Sequence, residues 1–300
     1  MKEQIISYSL FSPKNLYVKL RTWDLHNSNL RYWYNLPAIA AVNQIIYPDA
    51  QIVVYFSKEI KSNPLYPFLK DLSIAFNAFE IFELDLDFVN TEPTLWRFKP
   101  IFNNEANLVI TRDLDSLPNE QEIKATYYFI QNKEYAIQSI RTHTNHKWPI
   151  TIILAGLSAY RPSQIGEIAN LDFETFYHSK KSELYGVDQK VIIELLTRDK
   201  DFTKNKFLDI TLQSRNQKLA KPLIPCISIA EKSYSKKIKL THIPQKLLDL
   251  LNDATAWGGE PIDFRGSCLK KLLEIDHPII QKLNSVIMNS SSEIQSFYKL

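Results

Sequence analysis

Two aspartates, separated by one residue, follow an apolar run near the middle of the chain. In NLVITRDLDSLPNE (residues 107–120), a predicted buried strand leads into Asp113 and Asp115. Carboxylates this close repel each other and resist losing water, so we expect a positive charge beside them. In an extended segment, residues i and i+2 share a face, so both side chains could reach one centre. Mg²⁺ or Mn²⁺ shared with substrate phosphates would suit that centre, and a solvated turn with Asp113 paired to Arg112 is the alternative.

Further motifs surround this pair in a fixed order. They are YNLPAIAAVNQIIYPDAQIVVY (34–55), Trp96-Arg97-Phe98, RTHTNHKWPI (141–150), ILAGLSAY (153–160) and Tyr185-Gly186-Val187-Asp188-Gln189. With the aspartates, over roughly residues 30 to 195, the chain resembles GT-A-fold nucleotide-sugar glycosyltransferases, in particular a bacterial and large-virus group distantly similar to glycosyltransferase family 8. That group commonly has two glycines before an aromatic-glycine pair in the strand after the histidine-containing loop, and this chain keeps only Gly156 there. The chain also lacks a recognisable His-Asp segment, which leaves His242 and His277 as candidates for a third metal ligand.

The resemblance implies roles for the acidic residues. Asp113 and Asp115 would bind Mn²⁺ or Mg²⁺ and, through the metal, the donor diphosphate, with Asp113 nearer the ribose or sugar. Asp188 and Gln189 would face the reacting sugar carbon, where a carboxylate or amide oxygen stabilises developing positive charge. From the residues alone, Asp188 is equally a helix N-cap.

The resemblance also implies contacts with the donor. Arg97 and Arg112 would bind phosphate or sugar hydroxyls through the guanidinium fork, although Arg97 also suits a surface ion pair. Gly156 would let the backbone approach the sugar, or would simply be a close packing point. His143 and His146 would contact donor or acceptor hydroxyls, or belong to an ordinary polar loop.

The resemblance therefore predicts a metal-dependent glycosyltransferase. It would move a hexose-type sugar from a nucleoside diphosphate donor, with UDP favoured, to a glycan, lipid-linked or protein acceptor, and retention of configuration is weakly favoured. An inactive GT-A-like binding or scaffold module is the alternative. A haloacid-dehalogenase-type phosphatase, with the first aspartate as nucleophile, is a more remote one.

Composition limits the class of protein. The chain has 300 residues, 45% apolar content and a net charge of +3 from 36 basic and 33 acidic residues. These values predict a globular protein and give no sign of nucleic-acid binding. Two cysteines provide neither a disulfide framework nor a zinc pattern. No apolar run is long enough for a transmembrane helix, so we expect a cytoplasmic protein, with peripheral membrane contact through the basic run 231–239 left open.

Short apolar runs alternate with longer amphipathic ones, which predicts an α/β fold with a mainly parallel, Rossmann-type, GT-A-like sheet flanked by helices. The predicted strands are 4–10, 51–57, 79–84, 107–111, 135–140, 151–160, 206–212 and 221–230, and the main predicted helices are 31–47, 63–78, 95–102 and 119–132. Asn119 should cap the last of these helices. We expect residues 1–200 to form the nucleotide-sugar-binding core and residues 201–300 a C-terminal elaboration on the acceptor side, packed on the core.

Overall fold

The computed structural model describes residues 2–11, 31–84, 93–141, 155–165, 172–179, 188–189, 192, 204–212, 226–254 and 264–300. Within these ranges, eight strands form one sheet in the order β3-β2-β1-β4-β6-β5-β7-β8. The strands are β1 (Lys2–Leu10), β2 (Ala50–Ser57), β3 (Phe79–Leu84), β4 (Ala106–Arg112), β5 (Ile137–Arg141), β6 (Leu157–Tyr160), β7 (Phe207–Thr211) and β8 (Ile227–Ala230). Only β6 runs antiparallel to its neighbours in this sheet. The predicted α/β fold with a mainly parallel sheet is confirmed.

Helices flank the sheet. They are α1 (Arg31–Tyr34), α2 (Leu36–Ile46), α3 (Tyr66–Ala75), α4 (Glu120–Gln131), α5 (Phe173–Ser179), α6 (Gln245–Ala254), α7 (Ser267–Leu273), α8 (Pro278–Met288) and α9 (Ser292–Phe297). The single helix predicted over 31–47 is divided at Asn35, because Pro37 lacks a backbone N–H and fits only the first turn of α2. The predicted cap of α4 is confirmed, since the Asn119 side chain accepts a hydrogen bond from the backbone N–H of Glu122 at 2.9 Å.

The predicted short helix over 95–102 has a tighter form. It consists of 3₁₀ turns over Pro93–Asn104, with Pro100 inside, where a proline would break an α-helix. Trp96 and Phe98 are fully buried on its inner side, and Phe98 packs edge-on against Tyr160 with ring centroids 6.0 Å apart. Arg97 is therefore held between two anchored aromatic residues.

Apolar side chains fill both sides of the sheet. On one side, Ile52 and Val54 of β2 pack with the helices, and on the other, Val53 and Tyr55 pack with the 3₁₀ segment. Beyond residue 200, β7 and β8 extend the same sheet. Helices α6 to α9 join the helical side, where the Tyr298 hydroxyl donates to the Trp33 carbonyl at 2.9 Å. The domain division at residue 200 stays a prediction.

The sheet order fixes where ligands can bind. Strand β1 lies between β2 and β4 in the sheet. After β1, strands β2 and β3 are added on one side of it, and β4 is then added on its other side. In open α/β sheets, ligands bind at such a switch point, beyond the carboxyl ends of the strands. Among the described residues, no helix combines the length and apolar character that crossing a membrane would need.

Candidate active site

Asp113 and Asp115 lie at the carboxyl end of β4, next to this switch point. They occupy a β-turn rather than an extended segment, because the backbone N–H of Ser116 donates to the Asp113 carbonyl at 3.3 Å. The expected alternation of extended residues therefore does not apply. Asp115 is turned into the protein and only 4% exposed, whereas the Asp113 side chain remains 41% exposed.

A positive charge does lie beside Asp113, and the chain itself supplies it. One terminal nitrogen of Arg97 donates to Oδ1 of Asp113, and the other donates to Oδ2 of Asp188 at 2.7 Å. Burial lowers the pKa of Arg97, but the two carboxylates together outweigh burial and raise it above its ordinary value. The guanidinium therefore stays charged and bridges two carboxylates from distant parts of the chain.

Gly156 lies directly against Asp113. Strand β6 pairs with β4 in antiparallel register, with Leu157 opposite Arg112, so the residue before Leu157 comes beside the end of β4. A Cβ atom at position 156 would be 1.9 Å from Oδ2 of Asp113. This glycine makes room for a carboxylate of the same chain, and its predicted contact with a donor sugar stays a prediction.

The Arg112 side chain does not join this group. Strand β4 ends at Arg112, whose side chain projects toward helix α4. Its guanidinium donates to Oε2 of Glu122 at 3.0 Å, and both side chains are buried. Burial raises the pKa of Glu122. This internal ion pair joins the end of β4 to α4, and the predicted phosphate or sugar contact of Arg112 stays a prediction.

Asp188 and Gln189 come close to the site through Arg97. The Asp188 side chain is 8% exposed, and its Oδ1 accepts the backbone N–H of Gln189 at 2.8 Å. One carboxylate oxygen thus satisfies a neighbouring backbone amide, and the other is bound by Arg97. An N-cap bond would come from residue 190 or 191, which lie outside the described residues, so the capping interpretation of Asp188 stays a prediction.

None of the candidate histidines that the structure describes lies in a group that could bind a metal. His143 and His146 lie outside the described residues. The His242 ring is 3.1 Å from the Tyr127 hydroxyl and 3.2 Å from the Ile46 carbonyl, at the end of α2 and hence near the amino ends of the strands. His277 caps α8 by accepting the N–H of Ile279. Among the described residues, no group of three or more His, Cys, Asp or Glu side chains could hold a metal.

The sequence analysis did not predict a row of polar side chains that runs across five neighbouring strands on one face of the sheet. Paired positions on five neighbouring strands carry Ser7, Thr111, Ser158, Ser139 and Asp209, all buried. The Ser158 hydroxyl is 3.0 Å from that of Thr111 and 2.8 Å from that of Tyr160. The available signal was the presence of polar residues inside otherwise apolar strands.

Comparisons with known proteins give weak similarity. No family model and no curated protein matches the sequence. Among solved structures, Staphylococcus aureus TarS 1–349 matches at a TM-score of 0.43 and 12% identity, covering 98% of this chain and 74% of that one. Its complex with UDP-GlcNAc matches at 0.43 and 11%, covering 99% and 78%. The mannosyltransferase PcManGT from Pyrobaculum calidifontis, in complex with GDP-Man and Mn²⁺, matches at 0.38 and 9%, covering 98% and 77%. Similarity this low identifies neither a family nor an activity.

Proposed function

We propose that this protein is a metal-dependent glycosyltransferase that moves a sugar from a nucleoside diphosphate sugar to a glycan, lipid-linked or protein acceptor. One observation carries the proposal. Arg97, Asp113, Gly156 and Asp188 come from four separate segments, and they meet at the carboxyl edge of the sheet near the switch point between β1 and β4. Each belongs to a different motif of the resemblance to GT-A glycosyltransferases. We favour a UDP-sugar donor and retention of configuration.

In this proposal Asp113, which is partly exposed, and Asp115, which is buried in this structure, would hold a hard divalent cation. Asp113 and Asp115 offer carboxylate oxygens, and Mg²⁺ is commonly bound by one or two carboxylates together with substrate phosphates and water. The exposed fraction of the Asp113 side chain leaves it accessible to a metal-bound diphosphate. Bound there, Mn²⁺ or Mg²⁺ would supply Lewis-acid stabilisation of the charge on the departing diphosphate.

The remaining roles belong to the chain's own groups. In this proposal Asp188 stabilises positive charge at the reacting sugar carbon, since a preorganised carboxylate in a site shielded from water acts strongly on developing charge. Gln189 and the two histidines His143 and His146 contact sugar hydroxyls of donor or acceptor. The phosphate or sugar contact of Arg112 is proposed beside its ion pair with Glu122.

Donor hydrolysis tests the proposal. The protein is incubated with a panel of sugar nucleotides and Mn²⁺, and released nucleoside diphosphate is measured. We expect release from at least one donor, loss of release with EDTA, and loss in the variant Asp115→Ala. Asp49→Ala is the matched control, because Asp49 is an exposed aspartate just before β2, at the opposite edge of the sheet. Release that EDTA leaves unchanged would contradict the proposed metal dependence.

An inactive nucleotide-binding module is the second candidate. Among the described residues, no group of three or more His, Cys, Asp or Glu side chains accompanies the two aspartates as a metal site. Mn²⁺-assisted binding of a nucleotide without hydrolysis of any donor, combined with tight binding of a partner, would favour this candidate. A phosphatase with Asp113 as nucleophile fits less well, because that motif normally continues with Thr or Val after the first strand, whereas here Ser116 follows and the motif comes after β4. Phosphate release from sugar phosphates would nevertheless support that activity.

A further inference from the structure

Arg97 joins two carboxylates to which the proposed function gives different tasks. We infer that Arg97 is a positioning residue: its guanidinium couples Asp113, on the metal and diphosphate side, to Asp188, on the side of the reacting sugar. The inference rests on the proposed function for these tasks. The coupling itself rests only on the contacts of Arg97 with the two carboxylates.

The contacts join three segments that the fold brings together. Arg97 is 16 residues from Asp113 and 91 residues from Asp188 in the sequence. Asp113 follows β4, Asp188 is helical, and Arg97 lies on the 3₁₀ segment. Movement of either carboxylate would therefore be transmitted to the other through a single planar group.

Arg97 is itself fixed at both ends. Its backbone N–H donates to the Ser9 hydroxyl at 3.0 Å, and the terminal nitrogen that contacts Asp113 also donates to the Arg112 carbonyl at 3.3 Å. The side chain is only 6% exposed. A guanidinium presents its donors in a rigid fork, whereas the lysine ammonium is a compact point charge on a flexible stem. Arginine can therefore set the separation of two carboxylates, which lysine cannot do.

Stability alone does not explain such a buried bridge. Replacing a buried ion pair or triad by apolar residues of similar volume is often neutral or stabilising, whereas removing one partner is costly. The Asp113 side chain also remains 41% exposed. Asp188 is buried and Asp113 is partly exposed. A ligand that binds Asp113 could therefore change the position of Asp188 through Arg97.

A double-mutant cycle tests the coupling without any donor. Midpoints of chemical denaturation are measured for Asp113→Asn, Asp188→Asn and the double variant. We expect the double variant to lose more than the sum of the two single losses, because Arg97 retains a counter-charge in each single variant and has neither in the double. The control cycle combines Asp113→Asn with Asp172→Asn, an exposed aspartate bound to Thr175, and should be additive. Additivity in the Asp113–Asp188 cycle would overturn the inference.

Metal binding supplies a readout that a purely structural role would not change. Mn²⁺ affinity is titrated by electron paramagnetic resonance in the presence of UDP. Asp188→Asn should weaken Mn²⁺ binding about five-fold or more, because Arg97 then pairs more strongly with Asp113. In the Arg97→Met background the same substitution should change the affinity within roughly two-fold.

The two measurements separate the inference from the proposed function. A coupled denaturation cycle without detectable Mn²⁺ binding would support the bridge and contradict the proposed function. Mn²⁺ binding that Asp188→Asn weakens equally in both backgrounds would overturn the bridge and leave the proposed function standing. If Arg97→Met fails to fold, Arg97→Lys takes its place, and the cycle in the natural background decides the inference by itself.

Discussion

Asp113 occupies the space in which a side chain at position 156 would begin. A Cβ atom on Gly156 would lie 1.9 Å from Oδ2 of the Asp113 carboxylate, far inside van der Waals contact. The contact arises because antiparallel β6 brings its first residues against the carboxyl end of β4. The orientation of Asp113 therefore depends on the absence of a side chain in the neighbouring strand.

Gly156→Ala should displace the Asp113 carboxylate and break its contact with Arg97. Because small displacements of positioned groups cost about 100-fold in rate, we expect donor hydrolysis to fall by about that factor. The rate is measured as nucleoside diphosphate release at saturating Mn²⁺.

The control for this variant is Gly266→Ala. Gly266 has φ of +54° and an added Cβ would meet only Lys299, at 3.8 Å, so alanine there strains the backbone without touching the site. It should lower the free energy of unfolding by about 1–3 kcal/mol and leave donor hydrolysis per folded molecule unchanged. Full activity of Gly156→Ala would show that the position of Asp113 is unimportant.

Removal of the metal or of a ligand should abolish nucleotide binding. Asp115→Asn preserves the shape of the side chain but removes its charge, and we expect the affinity for UDP in the presence of Mn²⁺ to fall by at least 10- to 100-fold. Isothermal titration calorimetry measures the change, and EDTA added to the unmodified protein should reproduce it. Equal UDP affinity with and without Mn²⁺ would remove the metal from the proposal.

The ion pair of Arg112 and Glu122 should behave as a buried structural pair. Glu122→Gln leaves a buried guanidinium without its counter-charge and should cost about 3–5 kcal/mol in the free energy of unfolding. The combined change Arg112→Met with Glu122→Leu should be close to neutral, because both charges are removed together. Chemical denaturation measures both effects.

A second pair on the same helix provides the comparison. Glu120 and Lys124 form a partly exposed ion pair on α4, so Glu120→Gln should cost less than about 1 kcal/mol. Equal costs for Glu120→Gln and Glu122→Gln would mean that Arg112 does not depend on Glu122.

Stability should fall in alkaline solution because of buried phenols. Burial raises the pKa of Tyr47 to about 12, from an ordinary value of 10.0. Since the unfolded chain loses this proton first, stability is complete below pH 10 and is lost as the pH rises toward 12. Two pKa units correspond to about 2–3 kcal/mol.

Tyr47→Phe should reduce that loss. We expect the variant's free energy of unfolding to fall less steeply between pH 10 and pH 12 than that of the unmodified protein. Denaturation at a series of pH values measures the two slopes, and identical slopes would show that Tyr47 ionises normally in the folded protein.

Much of the fold could be predicted from local pattern. The strand predicted over 79–84 coincides with β3, and Asn119 caps α4 as expected. The split of the helix over 31–47 had its signal in Pro37. These features depend on neighbouring residues, so the sequence displays them directly.

Local sequence pattern predicted most of the element types, the mainly parallel sheet and the acidic residues after β4, although the helix expected over 95–102 is a 3₁₀ segment. Only the tertiary structure decided which charge meets those residues: the sequence indicated a positive partner, and the fold supplied Arg97. It also decided that Gly156 packs against Asp113, and that Asp188 lies within reach of the same guanidinium. The physical reason is that period and propensity act over a few residues, whereas contacts across 91 residues depend on strand order and on the antiparallel direction of β6.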